Sequence, residues 1–241
     1  DRGECTFVTK VQNAQAAGAI AVIVVNHLGD EVIDMGGTSG AIAIRSVLIG
    51  KSHGQAIEAQ LAGGVSAKLT SSVQRDGDLD SGIVIHEYGH GVSIRLSGGP
   101  SNASCLGSIQ GAGMGEGWSD FWALALTAKP GDAGPDPRPI GAYASGEGPL
   151  GPGLRSFPYT TNTALNPLSL GDLLGVSEEH AIGEVWAQAL WEVYWGLVEA
   201  HGFDPDLASG GGGNGMALQL AIDALKLQGC EPTYVVARDA I

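Results

Sequence analysis

Residues 83–96 of the chain read IVIHEYGHGVSIRL, a candidate helix with two histidines four positions apart. In a helix, residues i and i+4 project from one face, so His86 and His90 can reach a single ion. Imidazole nitrogens bind Zn²⁺ at about 2.0–2.1 Å. Glu87 follows His86 directly and can point to the neighbouring water site, which indicates a general base. This segment therefore predicts a helix that holds a zinc site.

A catalytic zinc usually has three protein ligands and leaves one position to water. Glu116 is the candidate for the third ligand. It lies 30 positions after His86, which lets the first helix end and a second helix pack across it. Asp120 lies four residues later on the same helical face. It can accept a hydrogen bond from the ring nitrogen of His86 that does not bind metal, and so fix the imidazole tautomer.

Simpler interpretations exist for these residues. The pattern H-E-x-x-H can arise by chance on a surface helix, since it fixes only three residues. Glu116 and Asp120 can also be an acidic helix start that the helix dipole favours. Two further candidates for the substrate cleft, Arg155 and Tyr159, are better explained as parts of a rigid Pro-containing loop with an anchoring aromatic ring.

The pattern on either side of the motif predicts two domains. Before residue 70, a helical pattern over 6–18 and apolar strand-like runs at 19–25, 41–49 and 65–69 indicate a small α/β unit. The polar segment 71–81 marks the boundary. Beyond it, apolar spacing predicts helices, and a Gly/Pro-rich stretch predicts a long surface loop. The helices are expected at 83–96, 115–128, 182–197 and 216–227, and the loop at 130–158.

Composition restricts the class of function. The formal net charge of -14 opposes binding to nucleic acid or to an anionic membrane, because either partner would be repelled. No apolar run is long enough to span a membrane. The three cysteines, Cys5, Cys105 and Cys230, are far apart. They fit one disulfide plus a free thiol, or a partner cysteine outside the chain.

Four blocks of sequence, in order along the chain, carry a family resemblance. They are DLDSGIVIHEYGHG at 78–91, GEGWSD at 115–120, HAIGEVWA at 180–187 and EPTYVVARDAI at 231–241. With these blocks, residues from about 73 to 241 resemble the catalytic region of the fungalysin family of secreted zinc metalloendopeptidases. That family belongs with thermolysin among enzymes with two histidine ligands and one glutamate ligand. The resemblance implies one zinc on His86, His90 and Glu116, with Glu87 as general base.

The resemblance also gives His180 a role. In the thermolysin-like arrangement, a histidine that opens a later helix donates a hydrogen bond to the oxyanion of the tetrahedral intermediate. His180 opens the predicted helix at 182–197. The alternative is a partly exposed histidine at a helix start, beside Glu178 and Glu179.

The start of the chain resembles a second known module. RGECTF at 2–7, KV at 10–11 and AQAAGA at 14–19 are similar to the later part of a protease-associated domain, an α/β module often attached to secreted peptidases. This resemblance implies contact with a substrate or partner, or a lid over the cleft. It brings no catalytic residue.

Together these observations predict an α+β protein. We expect a partial protease-associated domain at 1–70 and a mainly helical, thermolysin-like zinc peptidase domain at 71–241. No strands precede Asp1, and apolar residues near Ile241 still need partners, so we expect both ends to be incomplete.

The expected activity is extracellular hydrolysis of internal peptide bonds in proteins. The expected partners are protein or peptide substrates, without nucleic acid or membrane, and the oligomeric state stays open. A non-catalytic interaction fragment with a structural metal is the first alternative. An aminopeptidase is the second, and it would need a carboxylate that holds the free amine of the substrate.

Overall fold

The computed structural model describes residues 1–33, 35–69, 75–148, 151–208 and 211–241. The chain divides into two compact units, Asp1–Ser71 and Ser72–Ile241. Of the polar segment at 71–81, residues 71–74 lie outside the described ranges. Within those ranges, no helix is long and apolar enough to cross a bilayer.

The first unit is a small α/β arrangement in which two short strands pair in parallel. Val24 lies opposite Leu48 in the register, and both side chains are buried. The helix predicted over 6–18 and the first two predicted strands are therefore present, each shorter than the sequence indicated. The elements of this unit are α1 (Phe7–Ala16), β1 (Ala21–Val25), β2 (Arg45–Ile49) and α2 (Lys51–Glu58).

The strand predicted at 65–69 is wrong. These residues form no regular element, and all but Leu69 are exposed. An alternating pattern becomes a strand only where one face can be buried and the backbone can pair with a neighbouring strand. Residues 65–69 have neither condition in the described structure.

The second unit is built around one central helix, α4. Helix α3 packs against one part of α4, α6 packs along another, and α7 lies against α6. This arrangement confirms the prediction of an α+β, mainly helical chain. The helices of this unit are α3 (Ser81–Leu96), α4 (Ile109–Thr127), the short α5 (Ala142–Ser145), α6 (Glu179–His201), α7 (Gly213–Leu227) and α8 (Tyr234–Ala240).

Helix α4 begins at Ile109, earlier than the predicted start at residue 115. Ser108 caps it by accepting a hydrogen bond from the backbone N–H of Gly111. Glycines disfavour helix formation, and Gly111 and Gly113 lie in the first turns of α4. The sequence pattern therefore did not predict these turns. Here burial of the helix overrides that preference, since α4 is almost wholly buried from residue 111 to residue 125.

The core between α4 and α6 is aromatic. Trp118 meets Trp186 edge to face with ring centroids 5.4 Å apart, and Trp191 stacks on Tyr194 at 4.7 Å. Such pairs contribute about 0.5–1.5 kcal/mol each beyond the apolar area that they bury. The first pair joins α4 to α6 and so opposes sliding of one helix against the other, whereas the second pair lies within α6.

The loop predicted at 130–158 is only partly a surface loop. It contains the short helix α5, and its residue Ile140 is buried in the core. Arg138 pairs with Tyr159 through two backbone hydrogen bonds of 2.9 and 3.0 Å, which holds the end of the loop against its beginning. Isolated bridges can hold a segment in one conformation, although they leave no repeating pattern in its sequence. The absence of periodicity at 130–158 therefore did not mean a mobile loop.

One disulfide joins Cys105, just before α4, to Cys230, just after α7. Cys5 is exposed and free. The pairing that the sequence left open is therefore between the two cysteines of the second unit.

Two glycine contacts bring the helices close together. A Cβ atom on Gly89 of α3 would lie 2.9 Å from the Cα of Ser119. On α6, a Cβ at Gly183 would lie 2.6 Å from the Cβ of Glu116 and 2.8 Å from the carbonyl oxygen of Gly113. Only glycine allows these backbone distances, so both neighbours of α4 approach it beside the residues of the candidate site.

We expect Gly183→Ala to lower the free energy of unfolding by roughly 1–3 kcal/mol, because the added methyl group must push α6 away from α4. Gly196→Ala on the same helix is the control, since nothing lies within 4 Å of its added Cβ. That control should be stabilising by about 0.5–1 kcal/mol through helix propensity. Urea unfolding of both variants measures the difference, and equal stability would contradict the proposed close contact.

Candidate metal centre

Helix α3 places two histidine rings side by side. Asp80 caps this helix and accepts hydrogen bonds from the backbone N–H groups of Gly82 and Ile83. Two turns into the helix, the Nε2 atoms of His86 and His90 lie 3.2 Å apart. His86 is buried, whereas His90 is partly exposed. The motif therefore directs both ring nitrogens to one point at the edge of the helix pair.

Helix α4 brings a carboxylate to the same point. Glu116 Oε2 lies 3.2 Å from His86 Nε2, and Glu116 Oε1 lies 3.4 Å from His90 Nε2. Glu116 Oε2 is buried and has no hydrogen-bond partner. A buried carboxylate oxygen without a donor is costly, and a cation would remove that cost.

The candidate ligand atoms lie close enough together to share one ion. Ligand atoms at about 2.0–2.2 Å from a zinc ion in tetrahedral geometry lie roughly 3.3–3.6 Å from each other. The two Nε2 atoms are 3.2 Å apart, and the contacts of His86 and His90 with Glu116, at 3.2 and 3.4 Å, are made to its two different oxygens. These three residues form the candidate metal cluster among the described residues. The donor set, two imidazole nitrogens and one carboxylate oxygen within 4.8 Å of one another, therefore suits zinc.

Asp120 bonds the His86 ring at the nitrogen that faces away from the candidate site. Its Oδ1 accepts a hydrogen bond of 2.7 Å from His86 Nδ1. Because a carboxylate only accepts, the Nδ1 atom carries the proton and the Nε2 lone pair is free for a metal. The sequence predicted this contact, and the structure places the two residues accordingly.

The charges of the site depend on one another. Burial disfavours the protonated form of His86, but the carboxylates of Asp120 and Glu116 outweigh burial and raise its pKa to about 9. Burial also opposes ionisation of Glu116, yet the neighbouring histidines lower its pKa. Without a cation, the extra proton on His86 thus supplies the positive charge between the two carboxylates. Metal binding would release that proton, because an imidazole ligand must be neutral.

Arg155 and Tyr159 were expected to belong to a rigid loop outside the site, but the structure brings both to Asp120. Arg155 donates from Nε to Asp120 Oδ2 at 2.6 Å and from its second guanidinium nitrogen to Oδ1 at 2.8 Å. The hydroxyl of Tyr159 donates to Oδ2 at 2.5 Å. No local pattern reveals these contacts, since the residues lie 35 and 39 positions from Asp120.

A second carboxylate supports the same loop. Glu184 of α6 accepts a hydrogen bond of 2.8 Å from the backbone N–H of Ser156, and burial raises the pKa of Glu184. The loop from Arg155 to Tyr159 is therefore attached to α6 through Glu184 and to α4 through Asp120.

His180 lies at the rim of the cluster. Its Nε2 is 3.5 Å from Glu116 Oε2, and its Nδ1 is 2.6 Å from Glu178, the N-cap residue of α6. The side chain is 47% exposed. Because Nδ1 donates to a carboxylate, Nε2 can donate to a molecule bound at the centre when the ring is an imidazolium with both nitrogens protonated.

Glu87 is exposed on α3 directly after His86. A side chain at this position is rotated away from the face that carries His86 and His90. Its carboxylate is therefore open to solvent beside the cluster rather than within the group of converging atoms.

The sequence matches known proteins. The sequence model described as Fungalysin metallopeptidase (M36) matches residues 23–241. Extracellular metalloproteinase 2 of Trichophyton rubrum is 43% identical over 178 residues, which are 71% of this chain and 28% of that protein. Extracellular metalloproteinase mep of Aspergillus fumigatus is 45% identical over 177 residues, which are 71% and 27% of the two chains. The chain thus spans little more than a quarter of the length of these relatives.

We expect Asp120→Asn to weaken zinc binding by about 10- to 100-fold, because an amide holds the His86 ring less firmly and makes it a weaker ligand. Competition against a chromogenic chelator measures the dissociation constant. Asp223→Asn, which changes an exposed carboxylate on α7, is the matched control and should leave the affinity unchanged. Unchanged affinity in Asp120→Asn would remove Asp120 from the metal centre.

Proposed function

Because the chain belongs to the fungalysin metallopeptidase family, we propose that it forms the zinc-binding part of an extracellular endopeptidase that cleaves internal peptide bonds of proteins. The observation that carries this proposal is the convergence of His86, His90 and Glu116, each of which brings one ligand atom to within 4.8 Å of the others. The names of the relatives, which describe extracellular metalloproteinases, support the same conclusion.

Zinc is the metal that this donor set favours. Two imidazoles and one carboxylate are typical of catalytic zinc sites, whereas calcium and magnesium prefer oxygen ligands alone. The described residues offer one such cluster, so we propose one zinc per chain. When bound, zinc acidifies a water molecule and polarises the carbonyl group of the substrate.

We assign the proton transfers to Glu87. A carboxylate next to the metal ligands and open to solvent can take a proton from the attacking water and pass it to the leaving amine. His180, as an imidazolium with both nitrogens protonated, is the proposed donor to the developing oxyanion. Its Nε2 faces the cluster, while Glu178 holds Nδ1 and so orients the ring.

A catalytic site explains the geometry better than a structural one. A structural zinc normally has four protein ligands, but the cluster within the described residues has three. The partly exposed His90 and the exposed Glu87 leave the remaining position open to a substrate. The non-catalytic alternative is therefore the less favoured of the two.

We also propose that residues 1–70 are a protease-associated module that contacts a substrate or partner. Its sequence resemblance and its compact α/β arrangement support this assignment. Protein or peptide substrates remain the proposed partners of the whole protein, since the net charge of -14 opposes binding to nucleic acid or an anionic membrane. The disulfide between Cys105 and Cys230 suits an extracellular location.

The test of the function is a peptide that is blocked at both ends. We expect the zinc-loaded protein to cleave it, and Glu87→Gln to keep its zinc but lose about 100-fold or more of kcat, because the amide cannot accept the proton. Glu199→Gln, an exposed change near the end of α6, is the control. Turnover of Glu87→Gln within about tenfold of the wild type would reject the general-base role. Cleavage restricted to peptides with a free amino end would instead indicate an aminopeptidase.

For His180→Ala we expect kcat and kcat/KM to fall together by about 10²- to 10³-fold with normal zinc content, as for the loss of one donor to an oxyanion. His201→Ala removes an exposed histidine from the other end of α6 and should have no such effect. Loss of zinc from His180→Ala, or full activity, would show that the role is misassigned.

A further inference from the structure

Tyr159 is fixed in place by its own backbone and ring. It pairs with Arg138 through two backbone hydrogen bonds, of 2.9 and 3.0 Å. Its side chain is completely buried and belongs to the aromatic core. The position of its hydroxyl group therefore follows from the fold and does not depend on a flexible side chain.

The hydroxyl of Tyr159 bonds one oxygen of Asp120, and the other oxygen of Asp120 bonds His86, a proposed metal ligand. Tyr159 donates to Asp120 Oδ2, and Asp120 Oδ1 accepts from His86 Nδ1. Arg155 bonds both oxygens. Arg155 and Tyr159 both donate to Oδ2. This restricts rotation of the carboxylate about the Cβ–Cγ bond of Asp120, so Oδ1 stays directed at the His86 ring.

We propose that Tyr159 is a positioning residue of the metal centre, which acts through Asp120 on the orientation of His86. The inference rests on the zinc site proposed above and extends it by one further residue. Groups that orient a ligating histidine tune metal affinity, because a ring that is free to turn must be ordered when the metal binds. Tyr159 differs from Arg155 in that it adds no charge, so its contribution is directional alone.

The chain contains a matched comparison. Tyr194 is also completely buried in the aromatic core, but its hydroxyl has no hydrogen-bond partner in the described structure. Changing either tyrosine to phenylalanine removes one buried oxygen and keeps the ring. The two variants therefore differ mainly in whether a contact with Asp120 is lost.

The experiment measures zinc affinity of the folded protein by competition with a chromogenic chelator. We expect Tyr159→Phe to weaken zinc binding by about 10-fold, at the lower end of the range for groups around a metal ligand. Tyr194→Phe should bind zinc within about twofold of the wild type. A loss below about threefold in Tyr159→Phe, or the same loss in both variants, would overturn the inference.

A double variant separates positioning from general damage to the fold. If Tyr159 acts through Asp120, adding Tyr159→Phe to Asp120→Asn should weaken zinc binding by much less than it does alone, because coupled residues are not additive. Full additivity would mean that Tyr159 acts by another route and would contradict the inference. If the wild-type protein itself binds no zinc, the proposed function fails, which is a different result from normal zinc binding in Tyr159→Phe.

Discussion

Burying a carboxylate costs several kcal/mol unless donors surround it, and Asp120 is almost completely buried. Four donors meet its two oxygens: one from His86, two from Arg155 and one from Tyr159. Burial would raise the pKa of Asp120, but the hydrogen bonds from His86 and Arg155 outweigh burial and lower it. The carboxylate of Asp120 thus joins α4 to α3 and to the loop before α6. The candidate metal site lies on the far side of the His86 ring, at its other nitrogen.

The close packing of α4 is the second requirement. Gly89 lets α3 approach Ser119, and Gly183 lets α6 approach Glu116. Ser119 directly precedes Asp120, so both contacts occur within the same turn or two of α4 as the ligand and its supporting carboxylate. Packing and the candidate site therefore share residues, and a change that separates the helices also displaces the candidate metal ligands. The aromatic core beyond this point, with Trp118 against Trp186, keeps the spacing fixed.

Local patterns predicted part of this structure well. The i, i+4 spacing of His86 and His90 and the acidic pair Glu116 and Asp120 depend on helix geometry alone, and all four side chains converge as expected. The strand predicted at 65–69 failed because a strand also needs a partner and a buried face, which adjacent residues do not encode. The early start of α4 was missed because glycines that serve helix packing oppose local helix propensity.

The sequence by itself determined the type of the protein: where its four long helices lie, which residues can bind zinc, and which family the chain resembles. These features follow from the spacing of residues within one helix, because helix geometry determines which positions along the chain share a face. Only the tertiary structure decided that Arg155 and Tyr159 hold Asp120, that Glu184 holds their loop, and that Cys105 pairs with Cys230. These contacts join residues 28 to 125 positions apart. Such contacts are set by how helices and loops pack, and packing depends on the whole core rather than on any short run of residues.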